Sequence, residues 1–374
     1  MTQRAIVIGG GLAGCGAAYA LSKRGWSVDL LEKNSQLASE ASGNIAGIVY
    51  PHLTTNWIDS TYLYFQGLDY TMQLVDDLRG QGHKIKGEWC GMLQLPREAK
   101  DAARLLATPT SLGLDANIVR QVNVAQASEL SGLEIQQAGV HIAKGGWLCP
   151  PDFCAALASG SNILLNAEVD NLQKIADIWQ VHLKNGEVLS APVVIIANAA
   201  AATRFIPQLK LYSVAGQVSL LRAEHSPQLA PLKLVLCHNG YAIPTHDNIN
   251  CIGATYERED TGFLSAGQAH RLNLKHLQKF IPTLLDSALE GVTGRLGWRC
   301  TRPGNIPLLG QVPEPAGQGY YQKGLYISVA HASRGMLSCP LGGEWIARQI
   351  VGEPVDELYD AFSLGKYLRW GRVM

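Results

Sequence analysis

Three glycines and one carboxylate near the N-terminus have the types and spacing to hold a dinucleotide. Gly9-Gly10-Gly11-Leu12-Ala13-Gly14 fits G-x-G-x-x-G at Gly9, Gly11 and Gly14. In such a turn the first glycine allows the sharp reversal and the second lets the backbone approach a pyrophosphate. The third brings helix and strand together. Free N–H groups and the positive end of the helix dipole then face a diphosphate. Glu32 stands where a carboxylate accepts the two hydroxyls of an adenosine ribose. That carboxylate would repel a 2′-phosphate, so NADP is disfavoured, while FAD and NAD both remain open.

The elements around these residues support the same chemistry. Ala5-Ile6-Val7-Ile8 reads as a buried parallel strand, 17–23 as helix, and Val28-Asp29-Leu30-Leu31 as the second strand of a Rossmann-like unit. The small, polar stretch from Ala38 to Gly47, with Ser42, Gly43 and Asn44, can lie flat against a ligand. Helices are expected over 62–81, 99–112 and 124–130, with strands at 163–167 and 179–183. Lys184-Asn185-Gly186-Glu187 supplies a hairpin turn. The buried run 193–197 returns the chain to the nucleotide unit, ending at Asn198. A β-rich segment over 232–255, a helix over 270–281, a buried strand over 324–330 and a helix over 343–351 follow. A nucleotide unit broken by a β-rich one and completed near the C-terminus is a flavoprotein layout, less often a nicotinamide one.

Composition narrows the classes. The chain has 374 residues, 47% hydrophobic, with 31 basic and 31 acidic side chains. That supports a sizeable core and offers no overall cationic surplus for nucleic acid. Eight cysteines show no C-x-x-C pair and no metal-ligand spacing, so no metal is expected and a reduced compartment is. The N-terminal apolar run enters a glycine turn at once, unlike a signal peptide. The longest apolar stretch, 193–202, is far too short for a membrane span. A cytoplasmic enzyme with no membrane partner is expected. Pairs of acids and Ser-His-Asp arrangements with useful context are missing, so hydrolase chemistry has no support.

Several segments, taken in order, resemble one family. Ala41-Ser42-Gly43-Asn44 through Gly47 to Tyr50-Pro51 resembles a flavin-contacting stretch. Gly216-Gln217-Val218 is similar to an R-G-Q segment, with Ala215 in the arginine position. Cys237, Gly240-Tyr241, Pro244 and 251–256 resemble paired strands of a substrate domain. Gly294-Arg295 through Arg299-Cys300-Thr301, then Pro307, Gly310, Val312 and Pro313, resembles the strand that returns to the flavin, with Gly304 replacing an acid. His331, Ser333-Arg334-Gly335 and Pro340-Leu341 resemble a C-terminal flavin loop. Together they resemble the glycine oxidase and D-amino-acid oxidase superfamily, and more narrowly the FAD-dependent half of the bifunctional MnmC enzymes of tRNA wobble-uridine modification.

The resemblance implies an α/β fold, D-amino-acid oxidase-like, with a Rossmann-like FAD-binding domain over 1–85, 145–210 and 297–374. A β-rich substrate domain would occupy 86–144 and 211–296. FAD is the implied cofactor. The implied reaction oxidatively removes the carboxymethyl group from a carboxymethylaminomethyl uridine in tRNA, giving the aminomethyl form and glyoxylate. A small amino acid (glycine, sarcosine or a D-amino acid) is the alternative substrate. No methyltransferase segment precedes the dinucleotide strand, so a separate methyltransferase partner is expected. Arg299 is expected to fork onto the substrate carboxylate, with Tyr241 and Arg334 beside it. Gly47, Val169, Asn198, His331, Ser333, Arg334 and Gly335 are expected to contact the cofactor. Lys366, Tyr367, Arg369, Trp370 and Arg372 form a basic-aromatic tail able to touch RNA.

Overall fold

The computed structural model describes residues 3–258, 262–314 and 321–370. Arg4–Ile8 is apolar from its second residue onward because it is buried on both faces at the centre of a six-stranded sheet. The order across that sheet is Leu308–Pro313, Tyr321–Val329, Val193–Ile196, Arg4–Ile8, Ser27–Leu31, Asn162–Leu164. All neighbours are parallel except the first pair. Ile6 sits opposite both Val194 and Asp29, so strands distant in sequence flank the N-terminal one.

Helix Leu12–Ser22 is built of small residues because it is covered almost all round. One side lies on the sheet and the other on helix Gly335–Val351, where backbones nearly touch: a Cβ on Gly343 would fall 2.6 Å from Ala17 N. That C-terminal helix begins eight residues before the expected position 343. The Gly342-Gly343 pair and Pro340 mask its start in the sequence. Pro340 cannot donate to the carbonyl of Met336, and the Thr71 hydroxyl donates to it instead, at 3.0 Å. Thr71 belongs to the long helix Asp59–Gly80 that packs alongside.

The second large sheet has eight strands in the order Thr293–Thr301, Tyr212–Arg222, Ile249–Gly253, Tyr241–Ala242, Val235–Cys237, Met92–Gln94, Gly139–Ile142, Val119–Val122. Helix Ala266–Gln278 lies on it, starting four residues earlier than expected because Ser265 and Gln268 form a reciprocal capping box. A small antiparallel sheet, Val169–Ile175 with Ile178–Leu183 and Val188–Ala191, places Trp179, Val181 and Leu183 against the far face of the six-stranded sheet. The strand expected over 163–167 stops at Leu164, since Asn166 turns the chain with φ 56°. The basic-aromatic tail is a docked helix, Leu364–Trp370, with Leu364 buried and the Arg302 guanidinium 4.9 Å from the Tyr367 ring centre. Arg372 lies outside the described residues.

Candidate active site

A single cavity of about 1170 Å³ runs from the glycine turn to the eight-stranded sheet. At its first end the turn behaves as the glycine spacing requires. Gly9 has φ +113°, and a Cβ there would meet Ala197 O at 2.6 Å, so strand Val193–Ile196 and the turn can approach only through glycine. Gly11 precedes helix Leu12–Ser22 and has no side chain to stand between the helix N-terminus and the cavity. Gly14 does not line the cavity; a Cβ there would stand 1.8 Å from Gly9 O, so its role is packing.

Glu32 is buried and held in place: Gly10 N donates to Oε2 at 2.9 Å, and Asn34 donates to Oε1 through its backbone and side chain. A carboxylate has about four acceptor sites and three are taken, so one is left for a ribose hydroxyl. Ala167, Glu168 and Val169 form the adjoining wall. Asn198 lines the cavity where strand Val193–Ile196 ends, and its Oδ1 has no hydrogen-bond partner.

The loop over 38–47 contributes differently from the expectation at two positions. Ser42 Oγ accepts from Leu12 N at 3.0 Å, supplying the cap that Gly11 lacks. Gly43 is off the cavity; a Cβ on it would stand 2.4 Å from Arg295 Nη2. Arg295 donates to the carbonyls of Ser39 and Glu40 and reaches Asn44 Oδ1, tying this loop to the edge strand Thr293–Thr301. Gly47 and Gly335 line the cavity, as does Ser333.

His331 sits between two alanines at positive φ, Ala330 at 62° and Ala332 at 52°. Its ring nitrogens meet Ser328 Oγ at 3.0 Å and Ser338 Oγ at 2.9 Å, and burial lowers its pKa to about 3. It is therefore a neutral, fully engaged histidine that shapes the cavity wall rather than titrating in it.

The far end is cationic. Arg299, on the edge strand, lines the cavity and donates from Nη1 to Thr255 O at 3.2 Å and, more weakly, to Ala215 O. No carboxylate faces it within ion-pair distance among the described residues. Its pKa is lowered by burial, against the opposing pull of Tyr241, Tyr256 and Glu257. A Cβ on Gly216 would collide with its Nη1 at 1.9 Å, so glycine makes the berth for the guanidinium. The Tyr241 hydroxyl donates to Ala46 O at 3.2 Å; burial first, then Cys251, raises its pKa well above normal. Arg334 donates from Nη2 to His52 Nδ1 at 2.8 Å and lies over the rings of Tyr50 and Tyr64. Its Nη1 has no hydrogen-bond partner. The His52 pKa is lowered by enclosure and then by the charges of Arg334, Arg97 and Arg104.

The sequence reading missed His52, Tyr256, Trp298, His238 and the Arg295 clamp. Tyr256 and Trp298 line the cavity while remaining exposed. His238 is buried with neither ring nitrogen bonded, and burial lowers its pKa to about 3. Their sequence signal was proximity alone: His52 follows Tyr50-Pro51, His238 follows Cys237, Tyr256 lies near Cys251, and Arg295 and Trp298 lie near Arg299.

A dinucleotide-binding turn opening into a cavity with an arginine-lined end defines a flavin-type oxidoreductase. The fit to FAD is physical: the glycine turn leaves no Cβ in the path of a diphosphate, Glu32 is preset for a ribose, and the unpartnered Asn198 Oδ1 lies on the same wall. The chain belongs to the FAD-dependent oxidoreductase (DAO) family, whose family model matches residues 4–349. It is 34% identical over 384 residues to the tRNA 5-methylaminomethyl-2-thiouridine biosynthesis bifunctional protein MnmC of Pseudomonas aeruginosa, covering 94% of this chain and 57% of that protein. The Methylobacillus flagellatus protein of the same name is 33% identical over 370 residues, with 94% and 56% covered. The chain thus spans little more than half the length of these relatives. In fold it matches the crystal structure of glycine oxidase from Geobacillus kaustophilus, with TM-score 0.81 at 23% identity over 97% of this chain and 99% of that one. Glycine oxidase from Bacillus cereus gives TM-score 0.80 at 22% identity, with 96% and 98% covered. The α/β, D-amino-acid oxidase-like fold and the FAD cofactor are as expected from the sequence. Among the described residues no helix is long and apolar enough to cross a membrane.

Proposed function

We propose that the protein oxidises the carboxymethylamino group of a modified wobble uridine in tRNA, releasing glyoxylate and leaving the aminomethyl nucleoside. The observation that carries this reading is Arg299: a guanidinium in the cavity wall, berthed by Gly216 and bonded only to carbonyls. A substrate carboxylate would complete its pairing bidentately. The relatives' printed function, tRNA 5-methylaminomethyl-2-thiouridine biosynthesis, supports the nucleoside as the group bearing that carboxylate.

Arg299 fixes the carboxylate, and Tyr241 and Arg334 close the site around the carbon between nitrogen and carboxylate. Arg97, Arg258, Arg299 and Arg334 all line the cavity, and their field disfavours a protonated amine. A neutral amine is what C–H cleavage requires. FAD, held by Gly9, Gly11, Glu32, Val169 and Asn198, with Ser42, Asn44, Gly47, Ser333 and Gly335 alongside, supplies the two-electron acceptor. The oxidised substrate is an imine, which water cleaves to amine and glyoxylate. Action on tRNA places the protein in the cytoplasm, with a methyltransferase, separate or attached, consuming the amine product.

Anaerobic mixing of the flavin-loaded protein with tRNA bearing carboxymethylaminomethyl-uridine tests the reading. Loss of oxidised-flavin absorbance with that tRNA, and glyoxylate formation, is the expected result. Bleaching by free glycine or sarcosine but not by the tRNA would overturn it in favour of amino-acid oxidation.

A further inference from the structure

The mouth of the cavity carries aromatic surface that the chemistry at Arg299 does not use. Phe263 is 54% exposed, Tyr256 49% and Trp298 39%. The Phe263 and Trp298 rings meet edge-on at 5.2 Å between centres, and Tyr256 and Trp298 continue into the cavity. The backbone holds them together: Trp298 pairs with Ala215, and Ala215 bridges in turn to Glu257, next to Tyr256. A soluble enzyme gains no stability by displaying three large rings at one rim.

Charge at the rim distinguishes among occupants. The Arg258 guanidinium stands 5.6 Å from the Tyr256 ring centre, and that of Arg299 stands 5.8 Å away. Arg271 and Lys275, one turn apart on helix Ala266–Gln278, are exposed, while Leu272 and His276 on the same helix line the cavity. Flat aromatic faces with interleaved cations at the entrance of a ligand cavity suit an unpaired polynucleotide, whose bases stack and whose phosphates take the charge.

We propose that Tyr256, Phe263 and Trp298 form a stacking platform for the unpaired nucleotides that flank the reacting base in an RNA loop. This rests on the tRNA reading above and adds the surface that holds the loop while one base enters the cavity. Arg258, Arg271 and Lys275 contact the phosphates around it.

The test is binding of an unmodified anticodon stem-loop to the FAD-loaded protein by fluorescence anisotropy, which requires no turnover. Phe263→Ala and Trp298→Ala should each weaken binding at least fivefold, and Phe263→Tyr, which keeps the ring face, should restore it. Oxidation of the modified tRNA is assayed separately, so failure of the reaction would count against the tRNA reading and not be confused with failure of the platform. Equal binding by wild type, Phe263→Ala and Trp298→Ala would overturn the proposal while leaving the reaction intact. Sedimentation showing a wild-type dimer that Phe263→Ala converts to monomer would also overturn it, by assigning the rings to a second copy of the chain.

Discussion

Arg299 has no carboxylate partner of its own among the described residues, and this sets what its loss should do. On the proposed reading, Arg299→Gln removes the bidentate charge-assisted contact to a substrate carboxylate but leaves the glycine turn and Glu32 untouched. Hydrogen bonds to charged groups contribute about 1.5–3 kcal/mol each, so kcat/KM should fall by roughly a hundredfold or more. Flavin content, read from the absorbance of the purified variant, should stay at the wild-type level. Gly216→Ala should reproduce much of this effect, because its Cβ would occupy the guanidinium's berth at 1.9 Å. Steady-state kinetics of both variants on the modified nucleoside would show it, and an unchanged kcat/KM in Gly216→Ala would refute the berth argument. Tyr241 lines the same end of the cavity, its hydroxyl 3.2 Å from Ala46 O and 4.0 Å from Cys251 Sγ.

Elements meet most closely where helix Leu12–Ser22 crosses helix Gly335–Val351. Gly343→Ala would place a methyl 2.6 Å from main-chain atoms of Gly16 and Ala17, and neither can move without shifting the dinucleotide helix. Overpacking of this kind costs about 1–3 kcal/mol, so thermal unfolding should occur several degrees lower, with weaker flavin retention. Thr71→Val tests the neighbouring contact. It leaves the Met336 carbonyl, already deprived by Pro340, without a donor, at a cost of about 1–3 kcal/mol. These contacts also explain how far the sequence could be read. The strand–turn–helix at 4–22, the hairpin at Asn185-Gly186 and the buried run at 193–196 were legible because their signals are local: period, glycine spacing and turn chemistry. The start of the C-terminal helix was not, because Pro340 and Gly342-Gly343 break the local pattern and only tertiary partners compensate. At the site the same division holds. Gly9, Glu32 and Arg299 were found from motif or resemblance, while the Arg334–His52 pair joins residues 282 apart and had no local sign.

For the whole molecule, buried histidines couple stability to pH. His238 and His331 lie in different parts of the cavity wall, each about 6–7% exposed, and burial lowers the pKa of each to about 3. An unfolded chain returns them to about 6.5. Between these values the unfolded state binds more protons than the folded one, so stability is retained above pH 6.5 and lost as the pH falls below it. Each histidine contributes a slope of about 1.4 kcal/mol per pH unit across that window. The two differ in what protonation must overcome. His331 is bonded at both nitrogens by serine hydroxyls that can turn to accept, whereas His238 has no partner at either nitrogen and lies 5.1 Å from the Phe280 ring. Replacing either with asparagine removes one titrating group and should flatten the acid limb by about one proton. His238→Asn should do so with the smaller penalty at neutral pH, since no hydrogen bond is broken. Denaturant unfolding at pH 7.5, 6.5, 5.5 and 4.5, followed by the rise in flavin fluorescence on release, gives the slope directly. An acid limb equally steep in wild type and both variants would assign the pH dependence to other groups.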